Sequence, residues 1–258
     1  MSTNYATIQF KQEQNIAWII LNRPEKLNAI TPAMLDELSN VLDKIETDPN
    51  TKAVIITGNS ERSFSTGADL NELLKLTPTT AAEFSRKGQQ TFSKIETLPK
   101  PVIAGINGYA LGGGLELALA CDFRIVASFS VMGFPEIKRG ILPAWGATQR
   151  LPLTVGLANA KRMIMLGTGI SAKDALAMGL ANKIVPNNKI RIESEDLALK
   201  LIEYPALAQK YVKQALAADT REGFEAGLQK ETEYFVKLFS EKQTKQRIQD
   251  FLARETNK

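Results

Sequence analysis

A glutamate inside an apolar run is the first residue of this chain whose setting suggests chemistry. Glu116 lies in the run Leu-Glu-Leu-Ala-Leu-Ala at residues 115–120, which is predicted to form a buried helix. An isolated charge is costly to bury, so the pKa of this carboxyl should be raised. A functional acid–base group and a buried ion pair both fit this pattern. A second glutamate, Glu136, follows a proline in a predicted loop and, taken alone, is better interpreted as solvated surface.

Backbone N–H groups are the second feature that could act on a ligand. Three consecutive glycines, residues 112–114, stand directly before the helix that contains Glu116. The first N–H groups of a helix have no partner within it, and they lie at the positive end of the helix dipole. The N–H of Gly113 is therefore a candidate donor to an anion or to a developing oxyanion. A tight packing turn accounts for the same glycines equally well.

A second glycine turn has the same two interpretations. Gly67 follows a predicted strand and precedes helical sequence, so the N–H of Ala68 is a second candidate donor. With Asp69 as a helix cap, the segment is an ordinary capping turn. The glycines at 167–169 only superficially match a dinucleotide fingerprint, because a helix rather than a strand is predicted before them. Ser171 is therefore predicted to cap the helix that follows.

The composition excludes several kinds of active site. The 258 residues include no histidine and a single cysteine, Cys121. These counts exclude Ser-His-Asp and Cys-His nucleophiles, His-ligated zinc or haem, and an intrachain disulfide. The net charge of +4 suits an anionic ligand but does not by itself indicate nucleic acid. No apolar run approaches about 20 residues and no signal or transit pattern is present, so we expect a soluble cytoplasmic protein.

Alternating strands and helices must position these groups. The predicted elements are a hairpin of residues 5–11 and 16–21, strands at 53–57, 102–106 and 123–127, and helices from Pro32, over 81–97 and over 115–121. This alternation is typical of an α/β fold. From about residue 158 the strand signals fade and helices are predicted to predominate, including amphipathic segments at 222–239 and 241–252.

Taken in order, the motifs resemble the crotonase superfamily, the enoyl-CoA hydratase/isomerase family, over essentially the whole chain. The matching stretches are residues 21–29, 64–69, 106–118, 134–136, 148–151 and 175–185. The resemblance implies a spiral of repeated ββα units with an acyl-CoA site over residues 1–195. It also implies a C-terminal helical region over 196–258 that builds a homotrimer or a dimer of trimers.

The family's chemistry implies a role for each matching residue. Hydratases of the family carry two glutamates, at positions that match Glu116 and Glu136, whereas isomerases usually keep only the second. The resemblance therefore implies hydration of a trans-2-enoyl-CoA, with Glu116 as base on the water and Glu136 as proton donor to Cα. It further implies that Ala68 and Gly113 form an oxyanion hole. The implied coenzyme A contact region consists of Lys26, Leu27, Thr66, Asp69 and Leu70.

The same resemblance sets the expected partners. Coenzyme A would be part of the substrate in fatty acid metabolism (β-oxidation), with no metal or redox cofactor and no nucleic-acid or membrane partner. The alternative functions are double-bond isomerisation, hydration of a specialised acyl-CoA, RNA binding, or an inactive structural subunit. The retained glutamate pair argues against an inactive subunit, and the lack of a dense basic run argues against RNA binding.

The chain departs from the family's usual pattern at two places. A bulky residue, Trp145, stands in a stretch that is commonly rich in glycine. Its ring either reshapes the acyl pocket or packs under the loop at a subunit contact. Residues 245–248 lack the family's usual acidic-glycine pair, so no coenzyme A contact is expected there.

Overall fold

The longest apolar runs of the sequence become neighbouring strands of one sheet. A computed structural model describes residues 5–60 and 62–222. The strands in these residues are β1 (Ile8–Glu13), β2 (Ile16–Leu21), β3 (Ala53–Gly58), β4 (Ser63–Ser65), β5 (Val102–Ile106), β6 (Tyr109–Leu111), β7 (Phe123–Ala127), β8 (Val131–Gly133), β9 (Ile170–Ser171) and β10 (Lys183–Val185). The larger sheet has the order β1-β2-β3-β5-β7-β10. β1 and β2 form the predicted antiparallel hairpin, and the later pairings in this sheet are parallel.

The described residues also form helices, several of which connect the parallel strands along the chain. They are α1 (Pro32–Thr47), α2 (Leu70–Leu73), α3 (Pro78–Thr97), α4 (Gly113–Ala120), α5 (Ala147–Leu166), α6 (Ala172–Ala177), α7 (Ile190–Ile202) and α8 (Ala206–Glu222). Short 3-10 turns lie at Pro24–Lys26, Pro135–Arg139 and Asn187–Lys189. α5 is interrupted at Gly156, whose φ of 76° lies outside the helical region.

The larger sheet is apolar on both faces, as expected for parallel strands that helices cover. Along β3, Ile56 belongs to the main core, whereas Ile55 belongs to a second cluster on the opposite face, which also contains Ile190 of α7. The main core includes the predicted apolar face of α1, which consists of Met34, Leu35, Leu38, Val41, Leu42 and Ile45. Burying each such large side chain contributes roughly 1.5–3 kcal/mol to stability.

A smaller sheet, with the order β4-β6-β8-β9, positions the candidate site. β4 follows β3, β6 follows β5, and β8 follows β7, so three pairs of strands each lead into helical sequence. This is the repeated ββα arrangement that the resemblance implies. The first three strands of the small sheet lead to Ala68, to α4 and to Glu136 respectively. The small sheet therefore brings together three segments that are remote in sequence.

Most predicted elements are confirmed, and the differences lie at their ends. β5 and β7 have the predicted bounds, and Thr31 caps α1 by accepting the N–H of Met34. α3 begins at Pro78 rather than at residue 81, because Thr77 and Thr80 form a capping box. After about residue 158 helices predominate in the described residues, as expected. β9 and β10 follow that point, but they are two and three residues long and too short to show a strand pattern.

The chain divides into two compact units, Met1–Glu203 and Tyr204–Lys258. The described part of the second unit includes α8. Apart from residue 222, the predicted amphipathic segments at 222–239 and 241–252 fall outside the described residues, as does most of the predicted C-terminal region 196–258. Within residues 5–60 and 62–222, no helix combines the length and apolarity that crossing a bilayer requires.

Candidate active site

Glycines allow two turns to lie directly against each other at the start of α4. Gly67 has a φ of +88°, and a Cβ there would come within 2.7 Å of the Leu111 oxygen and 2.9 Å of the Gly113 nitrogen. A Cβ at Gly114 would overlap the backbone of Ser65. The packing interpretation of these glycines is therefore confirmed. The same close approach brings the Ala68 segment beside the first turn of α4.

Two backbone N–H groups at this junction have no acceptor in the part of the chain that the structure describes. Ile30 donates its N–H to the oxygen of Gly67 at 2.8 Å and accepts the N–H of Asp69 at 2.9 Å. In such a parallel bridge, the N–H of the central residue, Ala68, points to the opposite side. Gly113 is the first residue of α4, so its N–H has no partner within the helix. These two amides are available donors.

Glu116 is buried in α4 and is held by a turn that is remote in sequence. Its side chain is 2% exposed, and Oε1 accepts the N–H groups of Trp145 at 2.8 Å and Ala147 at 2.9 Å. Burial raises its pKa to about 7, the charge of Glu136 adds to this effect, and the two hydrogen bonds and Arg150 oppose it. The ion pairs of the described residues do not include Glu116. Backbone amides, not a buried ion pair, therefore satisfy this carboxylate.

Glu136 lies against Gly112, the residue that precedes α4. It lies in the 3-10 turn after β8, and a Cβ at Gly112 would overlap its Oε1. Its Oε2 is buried and has no hydrogen-bond partner within residues 5–60 and 62–222. The side chain is half-buried, so solvated surface is the wrong description of it, and this burial raises the pKa of the carboxyl. The Gly112 oxygen accepts the backbone N–H of Glu116 at 2.9 Å in the first turn of α4, so the Glu136 carboxylate lies at the start of the helix that carries Glu116.

A cleft of about 410 Å³ opens at this junction. The predicted site residues that line it are Lys26, Leu27, Thr66, Ala68, Asp69, Leu70 and Glu136. Gly113 and Glu116 are not part of the lining, although they follow the lining residue Gly112 in α4. Gly67 and Gly112, whose turns the sequence analysis singled out, also line the cleft. The lining residues that it did not single out are Ala29, Leu73, Leu111, Pro135, Arg139 and Ile141. Several of these are chain neighbours of predicted site residues, whereas no sequence pattern near Leu73 or Ile141 indicates a binding site.

The family of the chain follows from comparison with known proteins. The family model described as enoyl-CoA hydratase/isomerase matches residues 11–258. The chain belongs to this family. The short-chain-enoyl-CoA hydratase of Clostridium acetobutylicum is 37% identical and covers 95% of this chain and 94% of its own length. The crotonyl-CoA hydratase of Syntrophomonas wolfei is 36% identical, with coverage of 97% and 96%.

A solved structure supports the same assignment. The enoyl-CoA hydratase from Bacillus anthracis superimposes with a TM-score of 0.92 at 35% identity, covering 96% of this chain and 97% of that one. The resemblance and the α/β crotonase-type fold predicted from the sequence are thereby confirmed. The chain is an enzyme of the enoyl-CoA hydratase class that acts on acyl-CoA.

Asp69, which matches the family's coenzyme A contact region, also has a structural task. Its carboxylate accepts a hydrogen bond from Nη1 of Arg23 at 3.0 Å and caps α2 by accepting the N–H of Asn71 at 3.0 Å. Burial acts to raise its pKa, but these hydrogen bonds outweigh that effect and the pKa is lowered. The capping interpretation of this turn is confirmed. This cap leaves the N–H of Ala68 available, because the Asp69 carboxylate binds the N–H of Asn71, which follows it in the chain.

Trp145, where the chain departs from the usual family sequence, packs inside its own chain between α3 and α4. The ring is 2% exposed, with its centroid 5.1 Å from that of Phe84 and 5.5 Å from that of Phe92. Gly88 and Gly113 leave room for it, since a Cβ at either position would overlap the indole. The ring is not among the cleft-lining residues. The ring therefore packs against residues of α3 and α4 and does not reshape the cleft.

We expect Gly88→Ala to destabilise the protein, although alanine is the better helix former. Within α3 the substitution should gain up to about 1 kcal/mol in helix propensity. The new methyl group would overlap the Trp145 ring, and overpacking of this kind costs about 1–3 kcal/mol. In a Trp145→Ala background the methyl group enters vacated space, so the same substitution should stabilise. Denaturant unfolding of the four proteins measures both effects, and an equal effect in the two backgrounds would contradict the packing argument.

Proposed function

We propose that this enzyme adds water to a trans-2-enoyl-CoA to give a 3-hydroxyacyl-CoA, with Glu116 and Glu136 as its acid–base pair. One observation carries the proposal: the Glu136 carboxylate lies against Gly112, at the start of the helix that carries Glu116 and beside the available amides of Ala68 and Gly113, and its charge acts on the Glu116 carboxyl. A double-bond isomerase has little use for the first carboxylate. A buried Glu116 with two dedicated hydrogen bonds therefore favours hydration over isomerisation.

The hydrogen-bonding of the two glutamates supports different roles for them. Oε1 of Glu116 accepts two N–H donors, and such bonds favour an ionised carboxylate. Oε2 of Glu136 is buried and has no hydrogen-bond partner among the described residues, which favours the protonated form. Two neighbouring carboxyls do not readily both ionise, so a single proton shared by the pair is their natural state. Glu116 is therefore the base and Glu136 the acid.

The reaction then proceeds with a balanced transfer of protons. The thioester oxygen accepts the N–H groups of Ala68 and Gly113, which withdraws electron density from Cβ. Glu116 takes a proton from water as the water oxygen bonds to Cβ, and negative charge develops on the thioester oxygen. Glu136 gives its proton to Cα, which completes the 3-hydroxyacyl product. Return of the proton from Glu116 to Glu136 restores the starting state.

The cleft supports an acyl-CoA as the substrate. Lys26 and Arg139 line it and bring positive charge that suits the phosphates of coenzyme A. Hydration transfers no electrons, so we propose that coenzyme A enters only as part of the substrate and that no metal or redox cofactor takes part. A homotrimer or dimer of trimers, a cytoplasmic location and the absence of a nucleic-acid partner belong to the same proposal.

Turnover of crotonyl-CoA and of longer trans-2-enoyl-CoA substrates tests the proposed function directly. Loss of the conjugated-thioester absorbance and a product heavier by one water are expected. The names of the two hydratase relatives favour the shortest substrates. Rearrangement of a 3-enoyl-CoA without hydration would favour the isomerase. Salt-dependent RNA binding without any turnover would favour the RNA-binding alternative, and coenzyme A binding alone would indicate an inactive member.

A further inference from the structure

The turn that holds Glu116 consists of three consecutive peptide groups, those joining residues 144 to 147. The first and third of these donate the N–H groups of Trp145 and Ala147 to the Glu116 carboxylate. A small rotation of either peptide would redirect its N–H and turn the carboxylate with it. The direction in which Glu116 points therefore depends on what fixes this turn.

Each of the three peptides is held from its carbonyl side. The Ala144 oxygen accepts hydrogen bonds from Ser85 Oγ at 2.9 Å and Gln89 Nε2 at 3.0 Å, both in α3. The Gly146 oxygen accepts the N–H of Arg150 at 2.9 Å. The middle peptide is held by a full charge, because the Trp145 oxygen accepts Nη1 of Arg150 at 3.1 Å. Arg150 thus holds two of the three peptides, one through its side chain and one through its backbone.

The Arg150 guanidinium is itself fixed by α3. Nη2 and Nε donate to Oε2 of Glu96 at 3.0 and 3.3 Å, and Nη2 also lies 3.4 Å from Ser93 Oγ. The side chains of this ion pair are 13% and 30% exposed, so solvent screens them less than a surface pair. Gly146 has a φ of +118°, and a Cβ there would overlap Nη1 of Arg150. The guanidinium therefore lies directly against the turn, where only glycine leaves room for it.

We propose that Arg150, held by Glu96, is a positioning residue for Glu116, because it fixes the 145–147 turn whose N–H groups orient the carboxylate. Arg150 does not line the cleft, so it acts through the turn and not on the substrate. This inference rests on the proposed function of Glu116. The charges that act on Glu116 are those of Glu136, in the 3-10 turn after β8, and of Arg150 in α5. Loss of the Arg150 charge should therefore also make Glu116 harder to ionise.

The experiment compares Arg150→Gln, Arg150→Lys and Glu96→Gln with the wild type, and uses Arg162→Gln as the matched control on an exposed position of the same helix. With crotonyl-CoA we expect Arg150→Gln to lower kcat by about 10- to 100-fold with KM changed less than about twofold, as for a misplaced catalytic group. The acid limb of kcat/KM should move about 0.5–1 pH unit upward. Arg150→Lys keeps the charge but loses the fork geometry, so kcat should fall with a smaller movement of the limb. Glu96→Gln should lower kcat and move the acid limb of kcat/KM upward, as Arg150→Gln does, but both effects should be smaller.

A titration of the substrate-free protein separates this inference from the proposed function. Carbon-13 NMR of labelled glutamate side chains follows the ionisation of Glu116, which Glu116→Gln assigns by its absence. In Arg150→Gln this ionisation should move to higher pH. Folded Arg150 variants with wild-type kcat and an unmoved Glu116 titration would overturn the inference alone. Lower thermal stability with an unchanged pH profile would do the same, because it indicates a purely structural role. A wild type that titrates as expected but does not hydrate enoyl-CoA would overturn the proposed function instead.

Discussion

Glu116→Gln should lower kcat for crotonyl-CoA by about 10³-fold, since a positioned general base contributes roughly 10²–10⁴-fold. Glutamine is nearly isosteric, and its oxygen can still accept the N–H groups of Trp145 and Ala147. What it loses is the capacity to take a proton from water. The measurement is steady-state kinetics, with KM and coenzyme A binding expected to stay near their wild-type values.

Two comparisons make this result specific. Glu83→Gln, at an exposed position of α3, applies the same chemical change outside the site and should leave kcat unchanged. Glu136→Gln should cost a similar factor, because the proton for Cα is then lost. An isomerase using one carboxylate would instead be sensitive to Glu136→Gln and not to Glu116→Gln. That pattern would overturn the two-glutamate mechanism.

The same variant tests the raised pKa of Glu116 through stability. Because this pKa rises from 4.5 to about 7 in the folded protein, the native state binds more protons than the unfolded state between these values. The free energy of unfolding of the wild type should therefore fall, relative to Glu116→Gln, as the pH rises through this window. The full difference is roughly 3 kcal/mol. A stability difference that does not vary with pH would place the pKa of Glu116 near its ordinary value.

Ala68→Pro should lower kcat by about 10²–10³-fold, the usual loss when one oxyanion donor is removed. Proline has no N–H, so the thioester oxygen would keep only the Gly113 donor. The bridge to Ile30 uses the Gly67 oxygen and the Asp69 N–H, so the substitution leaves those hydrogen bonds in place. The charge on the thioester oxygen grows towards the transition state, and kcat should therefore change more than KM.

Ala68→Ser is the matched comparison, because it alters the same side chain but keeps the N–H. Its kcat should exceed that of Ala68→Pro by at least about tenfold. Circular dichroism and thermal unfolding establish that both variants fold. If folded Ala68→Pro turns over crotonyl-CoA as fast as Ala68→Ser, the Ala68 amide does not stabilise the reacting oxygen.

The elements that the sequence predicted well are those with a strong local cause. α1 has a threonine cap, a proline in its first turn and a helical period of apolar residues, each of which can be recognised without its neighbours. β5 is a continuous apolar run, and β7 is apolar except for Arg124. The smaller sheet was missed because its strands have two or three residues, and their pairing with strands remote in the chain stabilises them.

The site residues, like the elements, include some that the sequence indicated and some that only the structure revealed. The glycine turns, the buried Glu116 and the family resemblance indicated the candidate residues from the sequence. The amides of Trp145 and Ala147 and the guanidinium of Arg150 were not indicated as partners of Glu116. Backbone donors carry no mark in a sequence, and Arg150 matched a family stretch without a role attached to it.

By itself, the sequence determined the longer helices and strands, the buried setting of Glu116 and the chemistries that are excluded, because caps, turns and apolar periods act between near neighbours. Only the tertiary structure decided that Glu136 is half-buried against Gly112, that Trp145 packs between α3 and α4, and that a distant turn holds Glu116. The physical reason is that the pKa and direction of a carboxyl depend on desolvation and on hydrogen bonds from backbone that arrives from elsewhere in the chain. Those contacts exist only once the chain has packed.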